Sequence, residues 1–244
     1  MTLTNTESGT NIHEVVKGIF RISTPVPPSI IPGGFSFNQY LLVGEEPLLF
    51  HAGPKKMFPL VSEAVSSVLP VSSLKYIAFS HFEADECGSL NKWLEVAPTA
   101  QPVCSQVAAL VSINDVADRP AKALADGEVL ETGGHSLKWL DAPHLPHGWD
   151  AGYIYEENTQ TLFCGDLFTQ PGLGKTPVTE DDILEPSEAF RVTMDYFSHS
   201  KNAPMLLERL ALLNPATLAC MHGSVWKGDG ATLLRALSGR LSDK

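Results

Sequence analysis

The pattern of apolar and polar positions switches repeatedly between strand-like and helix-like spacing. GIFRIS, at 18–23, alternates and predicts a strand, and the Pro- and Gly-rich TPVPPSIIPGG, at 24–34, predicts a loop. FNQYLLV and EPLLFHAG predict two strands around a turn at 44–46, and MFPLVSEAVSSVL, at 57–69, has its apolar residues at helical spacing. LKYIAFS, at 74–80, is rich in apolar and aromatic residues and predicts a buried strand that stops directly at His81.

GSLNKWLEV and SQVAALVSI predict helices, and EVLETGGHSLKWLDAP a strand, a Gly-Gly turn and a second strand. GYIYEENTQTLFCGD is the clearest hairpin, with its turn at 157–160. PSEAFRVTMDYFSHSKNAPMLLERLALL predicts a helix in two pieces, broken near 202–204; ATLACMHG predicts a last strand ending at His222, before a closing helix that begins near Ala231. There is no repeat at a fixed period and no low-complexity tract. Strands and hairpins with helices outside them predict an α+β fold: a sandwich of two mixed sheets with outer helices, as a single domain over residues 1–244.

Composition narrows the function classes. At 244 residues, 43% hydrophobic and 18% charged, the chain has the make-up of a globular protein with a sizeable core. Its net charge of -11 argues against a nucleic-acid or anionic-membrane surface, because both need clustered Lys and Arg. The N-terminal stretch is polar, without the basic-then-apolar order of a secretory signal, and no later stretch approaches roughly 18 uninterrupted apolar residues. A cytoplasmic protein with no membrane partner is expected. Cys87, Cys104, Cys164 and Cys220 are widely spaced with no CxxC pair, which fits reduced thiols.

The candidate chemistry gathers at SHFEADECGS, at 80–89, where His81, Glu83, Asp85 and Glu86 stand close together with no basic residue among them. Adjacent carboxylates repel one another, and a bound dication reverses that cost. His147, Asp166 and His222 each follow a strand-like run, as His81 does, and strand ends on one edge of a sandwich converge in space. Alone, His13, His135 or His199 reads as a surface or turn residue, and Asp166 as a turn or cap residue. The set of three histidines with Glu83, Asp85 and Asp166 reads as a metal site. Its mixed nitrogen and oxygen donors lean toward iron or manganese, although zinc accepts carboxylates too.

At these residues the chain resembles the metallo-β-lactamase fold superfamily, and within it the flavodiiron and oxygen-binding di-iron branch. The superfamily's first motif is HxHxDH, the branch has HxExDH, and this chain has HFEADE. HGWDAG supplies His147 and Asp150, LFCGDLF supplies Asp166, and CMHGSVW supplies His222; FSFNQYLLV resembles the opening strand, so the likeness runs from about residue 15 to the end. It implies two iron ions, with zinc or manganese as alternatives. One iron would take His81, Glu83 and His147, the second Asp85 and His222, and Asp166 would bridge. Glu86 departs from the branch's histidine, either binding as an oxygen donor or leaving a position open. His144 is a further imidazole near the site, and His51 stands where the superfamily often has Asp.

The resemblance implies a protein that binds or reduces O2 or NO, as a sensor or carrier, or as a reductase. No flavodoxin-type phosphate loop occurs up to Lys244, so no FMN is expected in this chain. Reducing O2 to water takes four electrons and two ferrous ions hold two, so a reductase would draw on a separate flavin or iron–sulfur donor. Phe82 and Trp149 are expected in a dry, partly aromatic pocket, and a homodimer is possible on the branch's precedent. The alternative is a binuclear hydrolase acting on an ester, lactone or amide through a metal-bound hydroxide.

Overall fold

A computed structural model describes residues 1–242. Two mixed sheets lie face to face. The first has eight strands in chain order, Thr2–Leu3, Asn11–Val16, Ile19–Val26, Phe35–Leu42, Leu48–Phe50, Tyr76–Ala78, Gln101–Ser105 and Lys122–Leu124. It is antiparallel through Leu48–Phe50 and parallel from there on. The second has seven, in the order Val178–Thr179, Val225–Lys227, Thr217–Cys220, Thr161–Gly165, Gly152–Glu156, Ser136–Asp141 and Val129–Glu131.

Three apolar layers give the stacking. Tyr40, Phe50, Trp139, Ile154 and Phe163 fill the space between the sheets. Val61, Trp93 and Ile113, from helical segments, cover the outer face of the first sheet with Ile77 and Phe79. Leu184, Leu207 and Leu234, from Leu184–Met194, Ala203–Ala211 and Gly230–Ser242, cover the second with Leu162 and Leu218. This is the αββα sandwich that the pattern of elements implied. The helix Ala203–Ala211 shows why: Leu206, Leu207 and Leu210 fall on one face and are buried, while Met205, at 64%, is left exposed.

Several elements differ from expectation. The strand expected at 18–23 continues through Thr24, Pro25 and Val26, paired with Phe37, Ser36 and Phe35, so the loop begins at Pro27. Proline is tolerated there near the strand's end, where a ladder hydrogen bond is dispensable. Asn11–Val16 forms a hairpin with Ile19–Val26 inside a stretch that reads only as polar, turning at Gly18 with φ 77°. Gln101–Ser105 is a short parallel strand with four of its five residues buried, so it lacks the alternation that marks a half-buried one. The helical break falls earlier than 202–204: Leu184–Met194 stops at Asp195, whose φ of 51° is left-handed.

Among the described residues no helix is long and apolar enough to cross a membrane. All four cysteines are free and buried.

Gly152 joins the two sheets next to the strand end that carries His81. Its N–H donates to the Ser80 carbonyl at 2.9 Å, and a Cβ at this position would lie 2.2 Å from Cζ2 of the fully buried Trp139. Gly152→Ala is therefore expected to cost about 3 kcal/mol, because neither the indole nor the backbone has room to yield. Chemical denaturation measures this; an unchanged midpoint would contradict the packing.

Candidate metal centre

The seven candidate residues come from strand ends and the turns behind them. His81 follows Tyr76–Ala78, Asp166 follows Thr161–Gly165, His222 follows Thr217–Cys220, and His147 lies in the loop after Ser136–Asp141. Glu83 is extended, and Ala84–Cys87, which carries Asp85 and Glu86, is one turn of helix. The turn separates neighbouring side chains. Asp85 is partly exposed and faces His222, whereas Glu86 is fully buried.

The donor atoms form two groups that share Asp166. Its Oδ2 lies 3.5 Å from His81 Nε2 and 3.4 Å from His147 Nε2, and Glu83 Oε1 is 3.1 Å from His147 Nε2. Its Oδ1 lies 3.3 Å from His222 Nε2, which is 3.6 Å from Asp85 Oδ2. Atoms of His81, Glu83, His147 and Asp166 all fall within 4.8 Å of one another, as do those of Glu83, Asp85 and Glu86.

Hydrogen bonds orient the imidazoles. His147 Nδ1–H donates to the Tyr196 carbonyl at 2.9 Å and His222 Nδ1–H to the Ser36 carbonyl at 2.8 Å, so both Nε2 atoms face the carboxylates, protonated toward them in the metal-free protein and able to offer a lone pair once a cation displaces that proton. His81 Nδ1 lies 3.0 Å from Ser80 Oγ, and its Nε2 is 3.0 Å from His147 Nε2. Two lone pairs at that separation repel unless a proton or a cation stands between them. Asp150 Oδ2 accepts from the Phe82 N–H at 2.9 Å and so fixes the backbone beside His81.

The site is strongly acidic. The imidazoles of His147 and His81, 3.1 and 3.8 Å from its oxygens, pull Glu83 down to about 2. Burial would raise Asp166, but His222, 3.3 Å from its Oδ1, and the charges of the three imidazoles hold it below the usual range. Glu86 goes the other way, pushed well up by burial and then by the charges of Asp166 and Asp85, and both its oxygens lack a hydrogen-bond partner. Among the described residues no Lys or Arg forms an ion pair with Glu83, Asp85, Glu86 or Asp166. Three imidazoles and four carboxyl groups, one of them the buried Glu86 with orphaned oxygens, fit a pair of divalent cations.

Burial lowers His147 and His222, yet Glu83 and Asp166 outweigh it and raise both above the ordinary 6.5 of a histidine. Both imidazoles then hold protons to higher pH in the metal-free protein. A metal must displace those protons, so at pH 7 binding is expected to release protons and to tighten as pH rises through the folded-state values. Calorimetric titration in buffers of different ionisation enthalpy counts them; no released proton would contradict this electrostatic picture.

A cavity of about 440 Å³ opens over these atoms, walled by Ile31, Phe35, Phe37, Phe190 and Tyr196. The Phe35 ring lies 4.4 Å, centroid to centroid, from that of His222 and 5.7 Å from Phe190. Phe82 and Trp149, expected here, are instead 42% and 59% exposed and line depressions outside the cavity. Each sits beside a ligand-type residue or its glycine, and successive side chains in extended or turning backbone point apart. Phe35 and Phe37 carried a period-two signal in FSFN; nothing local marked Phe190 or Tyr196. His144 is exposed and lines a separate depression with Phe197 and His199.

Comparison with known proteins agrees with this architecture. The flavo-diiron protein FprA2 of Clostridium acetobutylicum is 30% identical over 208 residues, covering 81% of this chain and 51% of that protein. Two longer relatives, from Synechocystis and Nostoc, are matched over 33% of their length, so this chain spans a half to a third of the proteins it resembles. Among solved structures, a flavoprotein of Thermotoga maritima superposes with a TM-score of 0.81 at 22% identity, covering 92% of this chain and 59% of that one. The rubredoxin oxygen:oxidoreductase of Desulfovibrio gigas gives 0.80 at 18%, covering 96% and 62%. These structural likenesses establish the metallo-β-lactamase-like fold. The family described as ODP family beta lactamase matches residues 35–223, from the strand of Phe35 to the glycine after His222, and this chain belongs to that family.

Proposed function

We propose that this chain is a non-haem di-iron protein that binds or reduces a diatomic gas, O2 or NO. The observation that carries the reading is the two-sided placement of Asp166, with one carboxylate oxygen toward His81, Glu83 and His147 and the other toward His222 and Asp85. In this reading one iron takes His81, Glu83 and His147, the second takes Asp85 and His222, Asp166 bridges, and Glu86 stands beside the second iron as an oxygen donor. The two irons would supply the gas-binding site and two reducing equivalents. The family, and relatives named as a flavo-diiron protein and an oxygen:oxidoreductase, support it.

The chain's own residues do the rest. Carbonyls of Tyr196 and Ser36 hold His147 and His222 in the tautomer that offers Nε2. Phe35, Phe37 and Phe190 give the cavity an apolar wall suited to a small uncharged ligand. Sustained reduction of O2 to water would draw electrons from a separate flavin or iron–sulfur protein, in a cytoplasmic setting that also suits four free thiols.

The test is an anaerobic reduction of the iron-loaded protein followed by O2 or NO, monitored optically. Bleaching on reduction and return of colour with one of the gases is expected, with repeated turnover only when a donor is supplied. A protein that carries two zincs, shows no oxygen-sensitive colour and cleaves ester or lactone substrates would move the assignment to the hydrolase class.

A further inference from the structure

Beneath the proposed ligand set lies a buried imidazole outside it. His51 follows the strand Leu48–Phe50, is fully buried, and has φ 65°, a left-handed conformation that residues other than glycine seldom adopt. Its backbone N–H donates to the Ala78 carbonyl at 2.7 Å, which ties it to the strand leading to His81. Its Nε2 lies 3.1 Å from Ser80 Oγ, and Ser80 Oγ lies 3.0 Å from His81 Nδ1. On its other side, Nδ1 rests on the sulfur of Met221. Ser80 and Met221 each immediately precede a proposed ligand, on strand ends of different sheets.

The proton order along this chain follows from chemistry. For His81 to offer a lone pair at Nε2, its proton sits on Nδ1 and is donated to Ser80 Oγ. The Ser80 hydroxyl then donates its own hydrogen to His51 Nε2. His51 carries its proton on Nδ1, against a thioether that is only a weak acceptor. Burial pushes His51 down to about 3, so the accepting lone pair is available at neutral pH. The reverse order would place a hydrogen on His81 Nε2, where the cation belongs.

We infer that His51, acting through Ser80, is a positioning residue that fixes the tautomer of His81 and sets how strongly that imidazole donates to its metal. The inference rests on the metal-site reading above. A neutral imidazole at the end of the chain draws less on the Ser80 hydrogen than a carboxylate would, leaving His81 a weaker donor and the oxidised metal less favoured.

His51→Asp and His51→Asn separate charge from shape, because both residues accept the left-handed backbone. In anaerobic redox titrations of iron-loaded protein, His51→Asp is expected to favour the oxidised state about tenfold over His51→Asn, ~59 mV for one electron. In a Ser80→Ala background the difference is expected to fall below about threefold, because the connection is cut. An equal shift with and without Ser80 would mean a through-space charge effect and overturn the inference, as would no shift at all. Should the buried Asp prevent folding, Ser80→Ala alone decides: competition for cobalt(II) against a chelator is expected to show about 10-fold to 100-fold weaker binding. Wild-type affinity in that variant overturns the inference alone, whereas a wild-type protein that binds no metal overturns the metal-site reading with it.

Discussion

Asp166→Ala is expected to strip the protein of nearly all bound metal, with affinity falling at least ~100-fold at both positions, more than loss of an outer hydrogen-bond partner costs. The size of the effect comes from placement. Asp166 is buried, and its two oxygens face the two donor groups, so one truncation removes a donor from each. It also leaves His81, His147 and His222 without a carboxylate that lies within 3.5 Å of each of them. Mass spectrometry of the purified variant, with a circular dichroism spectrum to establish folding, provides the check. A folded variant with full metal content would mean that Asp166 does not bridge.

Glu86→Leu is expected to move metal-free stability and metal affinity in opposite directions. The Glu86 carboxyl is fully buried with neither oxygen hydrogen-bonded, and its pKa lies well above the ordinary 4.5. The sign follows by linkage: a carboxyl whose folded-state pKa exceeds its unfolded one binds protons more tightly when folded. Its destabilising effect therefore appears as pH rises above the unfolded value and grows toward the folded one. Replacing it with a side chain of similar volume should stabilise the chelator-treated protein at pH 7 by about 2 kcal/mol, a gain that shrinks toward pH 4. Metal beside Asp85 and His222 should be held more weakly, because an oxygen donor is gone. Glu86→His, which supplies an imidazole instead, should restore or tighten binding there. Unchanged metal affinity in Glu86→Leu would exclude Glu86 as a ligand.

Much of the architecture was legible in the sequence because its hairpins are local. Strands Gly152–Glu156 and Thr161–Gly165 are joined by a polar turn at 157–160, and period and turn chemistry alone identify the pair. Gln101–Ser105 was not legible, because a short strand buried on both faces carries no alternation and pairs in parallel with Tyr76–Ala78, distant in sequence. The ligand-type residues stood out by type and by position after strand-like runs. Their supports did not. The Ser36 carbonyl that orients His222 is backbone, which no residue letter records, and the contact spans 186 positions. Ser80 looked like the polar end of a strand, and only the fold sets it between His81 and His51. The aromatic wall was misplaced for a related reason: Phe82 and Trp149 adjoin the ligand-bearing motifs in sequence, whereas Phe35, Phe37 and Phe190 reach the cavity from other elements.

The most direct measurement is the metal count on wild-type protein purified without chelator or added metal. The account predicts about two irons per chain. Two zincs, a single metal, or none bound even after anaerobic loading with ferrous iron would contradict it.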